Sequence, residues 1–84
     1  MIPTVTSVEV QPNFKLLVRF KGKKTARVFD VKPYLSKGVF KELRNSSYFK
    51  KVRVVWGGIE WPHEQDLSSE TLYKLGVQVS RSVK

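Results

Sequence analysis

Apolar and polar positions alternate most cleanly over residues 14–21, FKLLVRFK, where Phe14, Leu16, Val18 and Phe20 fall on one side of an extended chain and Lys15, Leu17, Arg19 and Lys21 on the other. The pattern predicts a strand with one buried face. Upstream, TVTSVEV (4–10) is rich in β-branched residues and sorts Val8 and Val10 away from Ser7 and Glu9, predicting a first strand that Pro12 and Asn13 end. Downstream, Gly22 turns the chain within KGKK, and TARVFDV (25–31) returns antiparallel to complete a three-strand meander. Two registers stay open for this third strand, with either Ala26 and Val28 or Phe29 and Val31 toward the core. In both, Lys15, Arg19 and Lys21 oppose the apolar face.

Pro33 lacks the N–H that a ladder needs, so the chain leaves the sheet there. PYLSKGVFKELRNSSYFKKV predicts short helical turns near Tyr34-Leu35 and over Val39 to Leu43, broken by Gly38 and Asn45. A further turn carries Tyr48 and Phe49, with Ser46 or Ser47 as its cap. Phe40, Leu43 and Phe49 are the expected inward residues, and Tyr48 the exposed one. VRVVWGGIEW then predicts a hairpin closed by a Gly57-Gly58 loop, because both glycines tolerate positive φ. That loop pairs Trp56 with Ile59, Val55 with Glu60 and Val54 with Trp61, and places both tryptophans on one buried face. DLSSETLYKLG predicts a C-terminal helix: Ser68 caps it, Glu70 sits in its first turn, Gly76 stops it, and Leu72 and Leu75 meet the sheet. The fold class is thus α+β, a small antiparallel sheet with short helices. Residues 1–84 form a single domain, and 77–84 are either a short edge strand or a frayed tail.

Eighty-four residues, 40% of them hydrophobic, suffice for one modest core. With no cysteine the core gains nothing from disulfides or thiolate metal sites, and the expected home is a reducing cytoplasm. No apolar run approaches the roughly 18 residues of a membrane helix, so no membrane partner is expected. The formal net charge is +9, and it is unevenly spread. From Lys15 to Arg53 there are 13 Lys/Arg against Asp30 and Glu42, whereas from Val54 onward Lys74, Arg81 and Lys84 face Glu60, Glu64, Asp66 and Glu70. A basic middle suits a polyanionic partner, an acidic protein surface or nucleic acid, and equally serves solubility alone. Lys15, Arg19, Lys21, Lys23 and Lys24, extended by Lys50, Lys51 and Arg53 for nucleic acid, are the candidate contacts.

His63, Glu64 and Asp66 crowd into four positions. A zinc-protease helix needs His-Glu-x-x-His, but Leu67 occupies the last position and the chain has a single histidine. Neither a metal cage nor a cofactor motif is marked. Acid–base work by His63 and Glu64, with Arg53 as electrophile, would describe a small ribonuclease-like toxin. The plainer reading is a joint: Pro62 ends a strand, HEQD spans the gap, and Asp66 accepts backbone N–H bonds that set up the helix. Trp56 and Trp61 are read as core filling rather than as a base-stacking platform.

VEVQP (8–12), LLVRF (16–20), VFDVKPYL (28–35), GVFKEL (38–43), YFKKVRV (48–54), GGIEWP (57–62) and DLSSETLY (66–73) together resemble a family of small bacterial proteins, domain of unknown function 2442. His63-Glu64 departs from the asparagine and glycine common after Trp-Pro in that family, so the resemblance supports no role for His63. It implies an α+β fold and no established activity. It also implies stand-alone small proteins, sometimes encoded beside another small gene in toxin–antitoxin-like pairs. The leading expectation is a non-enzymatic module that binds a protein through its basic sheet surface or an exposed strand edge; sequence-independent nucleic-acid binding is the alternative.

Overall fold

The computed structural model describes residues 2–79. Its strands are β1 (Val5–Gln11), β2 (Lys15–Phe20), β3 (Arg27–Asp30), β4 (Arg53–Val55), β5 (Gly58–Glu60), β6 (Asp66–Ser68) and β7 (Val77–Gln78). They form two antiparallel sheets, one ordered β1-β2-β3-β7 and one ordered β4-β5-β6. Two 3₁₀ turns, Lys32–Tyr34 and Gly38–Arg44, and the helix α1 (Ser46–Phe49) connect the sheets; the helix α2 (Ser69–Leu75) leads from the second back to the edge of the first. This is the α+β architecture that the patterning predicts, with the meander as its first three strands.

In the meander Leu16 pairs with Val10 and Phe29, and Val18 with Val8 and Arg27, so one face is apolar across three strands with Arg27 at its end. Leu16, Val18, Phe20, Phe29 and Val31 are buried there, together with Leu43, Phe49, Ile59, Trp61, Leu67 and Leu72 from the covering layer. The open register of the third strand is thereby resolved toward Phe29 and Val31. Phe14 leaves the strand it was expected to begin. Asn13 and Phe14 take left-handed φ of 65° and 59° in the β1–β2 turn, a costly conformation for a bulky residue. Edge-to-face packing of Phe14 on Phe49, with centroids 5.2 Å apart, and a bond from the Val31 N–H to the Phe14 carbonyl offset that cost.

The helix signals hold in type and shift in detail. Asn45, not a serine, caps α1: its Oδ1 accepts from the N–H groups of Ser47 and Tyr48. Ser68 caps α2 by accepting from the Thr71 N–H, and Gly76 ends it. Leu72 is fully buried, but Leu75 stands 62% exposed because α2 is two turns long and meets the core along one narrow stripe. Tyr48, expected outside, is buried at 8% because its hydroxyl finds partners within the protein.

The second hairpin departs most from expectation. Its pairs are Arg53 with Glu60, Val54 with Ile59 and Val55 with Gly58, each partner two residues from the predicted one, because the loop lies one position earlier, at Trp56-Gly57. A two-residue shift of partners keeps each side chain's face, but it takes Trp56 out of the ladder and into the loop. Trp56 accordingly lies 94% exposed at the tip and Val54 38% exposed, while Ile59 and Trp61 stay in the core. The cause is β6, which the sequence reading took for a joint. Gly58 pairs with Ser68, and a Cβ on Gly58 would overlap the Leu67 carbonyl oxygen. Close strand approach therefore claims Gly58, leaving Gly57, at φ +85°, as the one loop glycine. Residues 65–69 alternate inward and outward: Gln65, Leu67 and Ser69 are buried, whereas Asp66 and Ser68 are exposed. Asp66 thus stands in a strand, opposite Glu60, and does not prepare the helix. Of the two alternatives for residues 77–84, Val77–Gln78 forms a short edge strand, and residues 80–84 lie outside the described residues.

Candidate functional site

Registers across the first sheet define its outward face. One row runs Glu9, Leu17, Val28, Val77; a second runs Gln11, Lys15, Asp30; a third pairs Ser7 with Arg19. The middle row is apolar over three strands, Val77 is 71% exposed, and Leu75 stands beside it. Val28, Phe29, Pro33, Tyr34, Leu75 and Val77 line a shallow groove there, with Asp30 at its border. Lys15 and Arg19 flank the apolar row on either side. The Asp30 carboxylate, close to Lys15 by register, is taken by Lys32 at 3.4 Å and by the Lys32 N–H at 2.9 Å. The surface is therefore an apolar stripe with a basic rim, not a uniformly basic sheet.

Lys21, Lys23 and Lys24 belong to the β2–β3 turn and are exposed. Near them Arg27 reaches across the sheet end, its guanidinium carbon 3.9 Å from the Tyr73 ring centroid, and donates to the Gly76 carbonyl at 3.4 Å. Hydrogen bonding to the Arg27 side chain, opposed by burial and aided by the Lys23 ammonium, holds the Tyr73 phenol below its usual range. Lys21 also borders the exposed Trp56: the two line a depression with Ile2, Pro3 and Thr4, and the Lys21 N–H bonds the Thr4 carbonyl at 2.8 Å.

The remaining candidates lie elsewhere. Lys50 borders the β1–β2 turn, at the opposite end of β2 from Lys21, and Lys51 follows it at the end of α1. Arg53 is bound to Glu60 by Nε at 3.1 Å and Nη2 at 2.6 Å. This pair offsets the like charges of Glu60 and Asp66, which face each other across β5 and β6. The eight cations are thus dispersed over several surfaces, and Lys21, Lys23 and Lys24 are the compact group.

A polar cluster unforeseen in the sequence surrounds Gln65. Buried at 1%, Gln65 accepts from the Tyr48 hydroxyl at 2.7 Å through Oε1, and through Nε2 it donates to the Val39 carbonyl at 2.8 Å and to Glu42 at 3.1 Å. The His63 N–H donates to the Tyr48 hydroxyl at 2.7 Å, and the His63 ring stacks on Tyr48 with its Nδ1 2.7 Å from Glu42. The bond with His63 holds the Glu42 carboxyl below the usual carboxylate range; burial opposes it, and Gln65 and the His63 charge add to it. The carboxylate oriented toward His63 is therefore Glu42, whereas Glu64 occupies a left-handed turn position at φ 80°. Nothing in the sequence marks this cluster, because the inward alternation from Gln65 to Ser69 is set by a partner strand. Among the described residues no group of three or more His, Cys, Asp or Glu is placed to hold a metal ion, and no helix is long and apolar enough to cross a membrane.

These features define a small two-sheet α+β protein whose most distinctive surfaces are the striped outer sheet face and the aromatic hairpin tip. The chain belongs to the family described as protein of unknown function DUF2442, whose model matches residues 5–78. Searches of curated proteins and of solved structures each returned no match.

Proposed function

We propose that this protein is a non-enzymatic binding module that docks an acidic protein partner on the outer face of its first sheet. The observation that carries this reading is the row Leu17, Val28, Val77, joined by the 62% exposed Leu75 and bordered by Lys15 and Arg19. Contiguous exposed apolar surface with a polar rim is the usual form of a protein interface, and its apolar centre supplies the driving force. The charge of +9 selects the occupant: it opposes a second copy of the same chain and favours an acidic surface, whose approach it accelerates. A product of a neighbouring gene, in a toxin–antitoxin-like pair, is a partner of the right kind.

The test compares capture by the parent with capture by a Leu75→Asp/Val77→Asp double variant, from host lysate and against the purified neighbouring gene product. An acidic protein retained by the parent, lost in the variant and bound in purified form supports the proposal. Identical capture profiles for the two baits overturn it.

A further inference from the structure

The end of the molecule that carries the β2–β3 turn differs in chemistry from the striped face. Trp56 projects from the hairpin tip at 94% exposure, an extreme for the side chain with the largest apolar surface, while the second indole, Trp61, is 1% exposed and donates from Nε1 to the Phe49 carbonyl at 2.9 Å. The backbone that carries Trp56 is held in place. The Val55–Gly58 and Val54–Ile59 pairs hold its strand, Gly57 sets the turn, and β5 is pinned by β6. One flank of the indole faces Ile2, Pro3 and Lys21.

From Arg19 to Arg27 the chain carries Arg19, Lys21, Lys23, Lys24 and Arg27 and no carboxylate. The ion pairs among the described residues are Lys32–Asp30, Arg53–Glu60, His63–Glu42 and Lys74–Glu70, so Lys21, Lys23 and Lys24 take part in none of them. A solvated aromatic beside Lys21, with Lys23 and Lys24 following in the same turn and Lys23 over the Tyr73 ring, matches what an unpaired nucleotide offers: a π face to stack and a phosphate to neutralise. A duplex presents the phosphates but keeps its base faces closed. An acidic peptide presents charge without a ring that must be stacked.

From this juxtaposition we infer that the hairpin tip and the β2–β3 turn form a binding site for single-stranded nucleic acid, with Trp56 stacking on a base and Lys21, Lys23 and Lys24 meeting the backbone. The site is tolerant of sequence, since every base has a π face. It shares no residue with the stripe of Leu17, Val28, Leu75 and Val77, so the two surfaces make the protein a connector between a single strand and an acidic protein.

The experiment uses the whole chain and a fluorescently labelled 15-nucleotide deoxythymidine oligomer, read by anisotropy, with tryptophan emission recorded in parallel. The oligomer should quench part of the emission at 50 mM salt. Three phosphate contacts to a single strand predict that raising salt to 200 mM weakens binding about twentyfold. Trp56→Ala, at a solvated tip, should keep the parental melting curve and lose about tenfold in affinity together with the quenching. Lys23→Glu/Lys24→Glu should weaken binding and flatten its salt dependence. The Leu75→Asp/Val77→Asp variant should bind the oligomer as the parent does, which separates failure here from failure of the protein-docking reading. Absence of binding at 50 mM salt, equal binding of a 15-base-pair duplex, parental affinity in Trp56→Ala, or equal displacement by polyglutamate would each overturn the inference.

Discussion

Buried polar groups separate into one that is fully employed and one that is idle. Gln65 contributes three hydrogen bonds that tie the Gly38–Arg44 turn and α1 to the loop before β6. Gln65→Leu keeps the volume but strands the Val39 carbonyl, and about 2–3 kcal/mol of stability should be lost in urea unfolding. A loss under about 0.5 kcal/mol would mean that water replaces the amide without penalty. Ser69 is the opposite case. Its hydroxyl is buried without a partner among the described residues at the first position of α2, so Ser69→Ala should be neutral or stabilise by up to about 1 kcal/mol in the same measurement. Neither residue is visible as special in the sequence. Glutamine and serine read as surface types, and only an inward strand register, set by partners far along the chain, makes them internal.

At the scale of elements, strands whose own alternation is strong were legible, and strands defined by their neighbours were not. Lys15–Phe20 declares itself through Leu16, Val18 and Phe20, and α2 through Ser68 and Gly76. β6 has three residues, too few to show a period, and it alone decides which glycine of Gly57-Gly58 can serve the turn. The hairpin reading erred by one position for that reason, and the error moved Trp56 from core to solvent. The two glycines now make distinct predictions. Gly58→Ala should cost about 2–3 kcal/mol through overlap with the Leu67 carbonyl, whereas Gly57→Ala, with open space around it, should cost about 1 kcal/mol for its positive φ alone. The reverse ranking in urea midpoints would restore the Gly57-Gly58 loop. Of the candidate site, the turn lysines were legible from composition; the indole beside them was not, because its exposure depends on this slip.

For the molecule as a whole, stability should fall with acid in a way that passes through the Glu42–His63 contact. The folded Glu42 carboxyl titrates below its unfolded value, so its contribution is complete above that unfolded value, about 4.3, and is lost as pH falls through the folded one. His63→Ala removes the main cause, and its melting temperature should decline less steeply than the parent's below about pH 4.3. Parallel acid limbs in the two proteins would place the linkage elsewhere. A different consequence attaches to β7, which covers the rim of β3 with the pairs Arg27–Gln78 and Val28–Val77 and a bond from the Val79 N–H to the Ala26 carbonyl. So short a strand acts as a stopper. Ending the chain at Gly76 would bare the donors and acceptors of Arg27–Asp30 as a template on which further copies add strand by strand, so thioflavin-positive fibres should grow from the shortened protein and not from the parent.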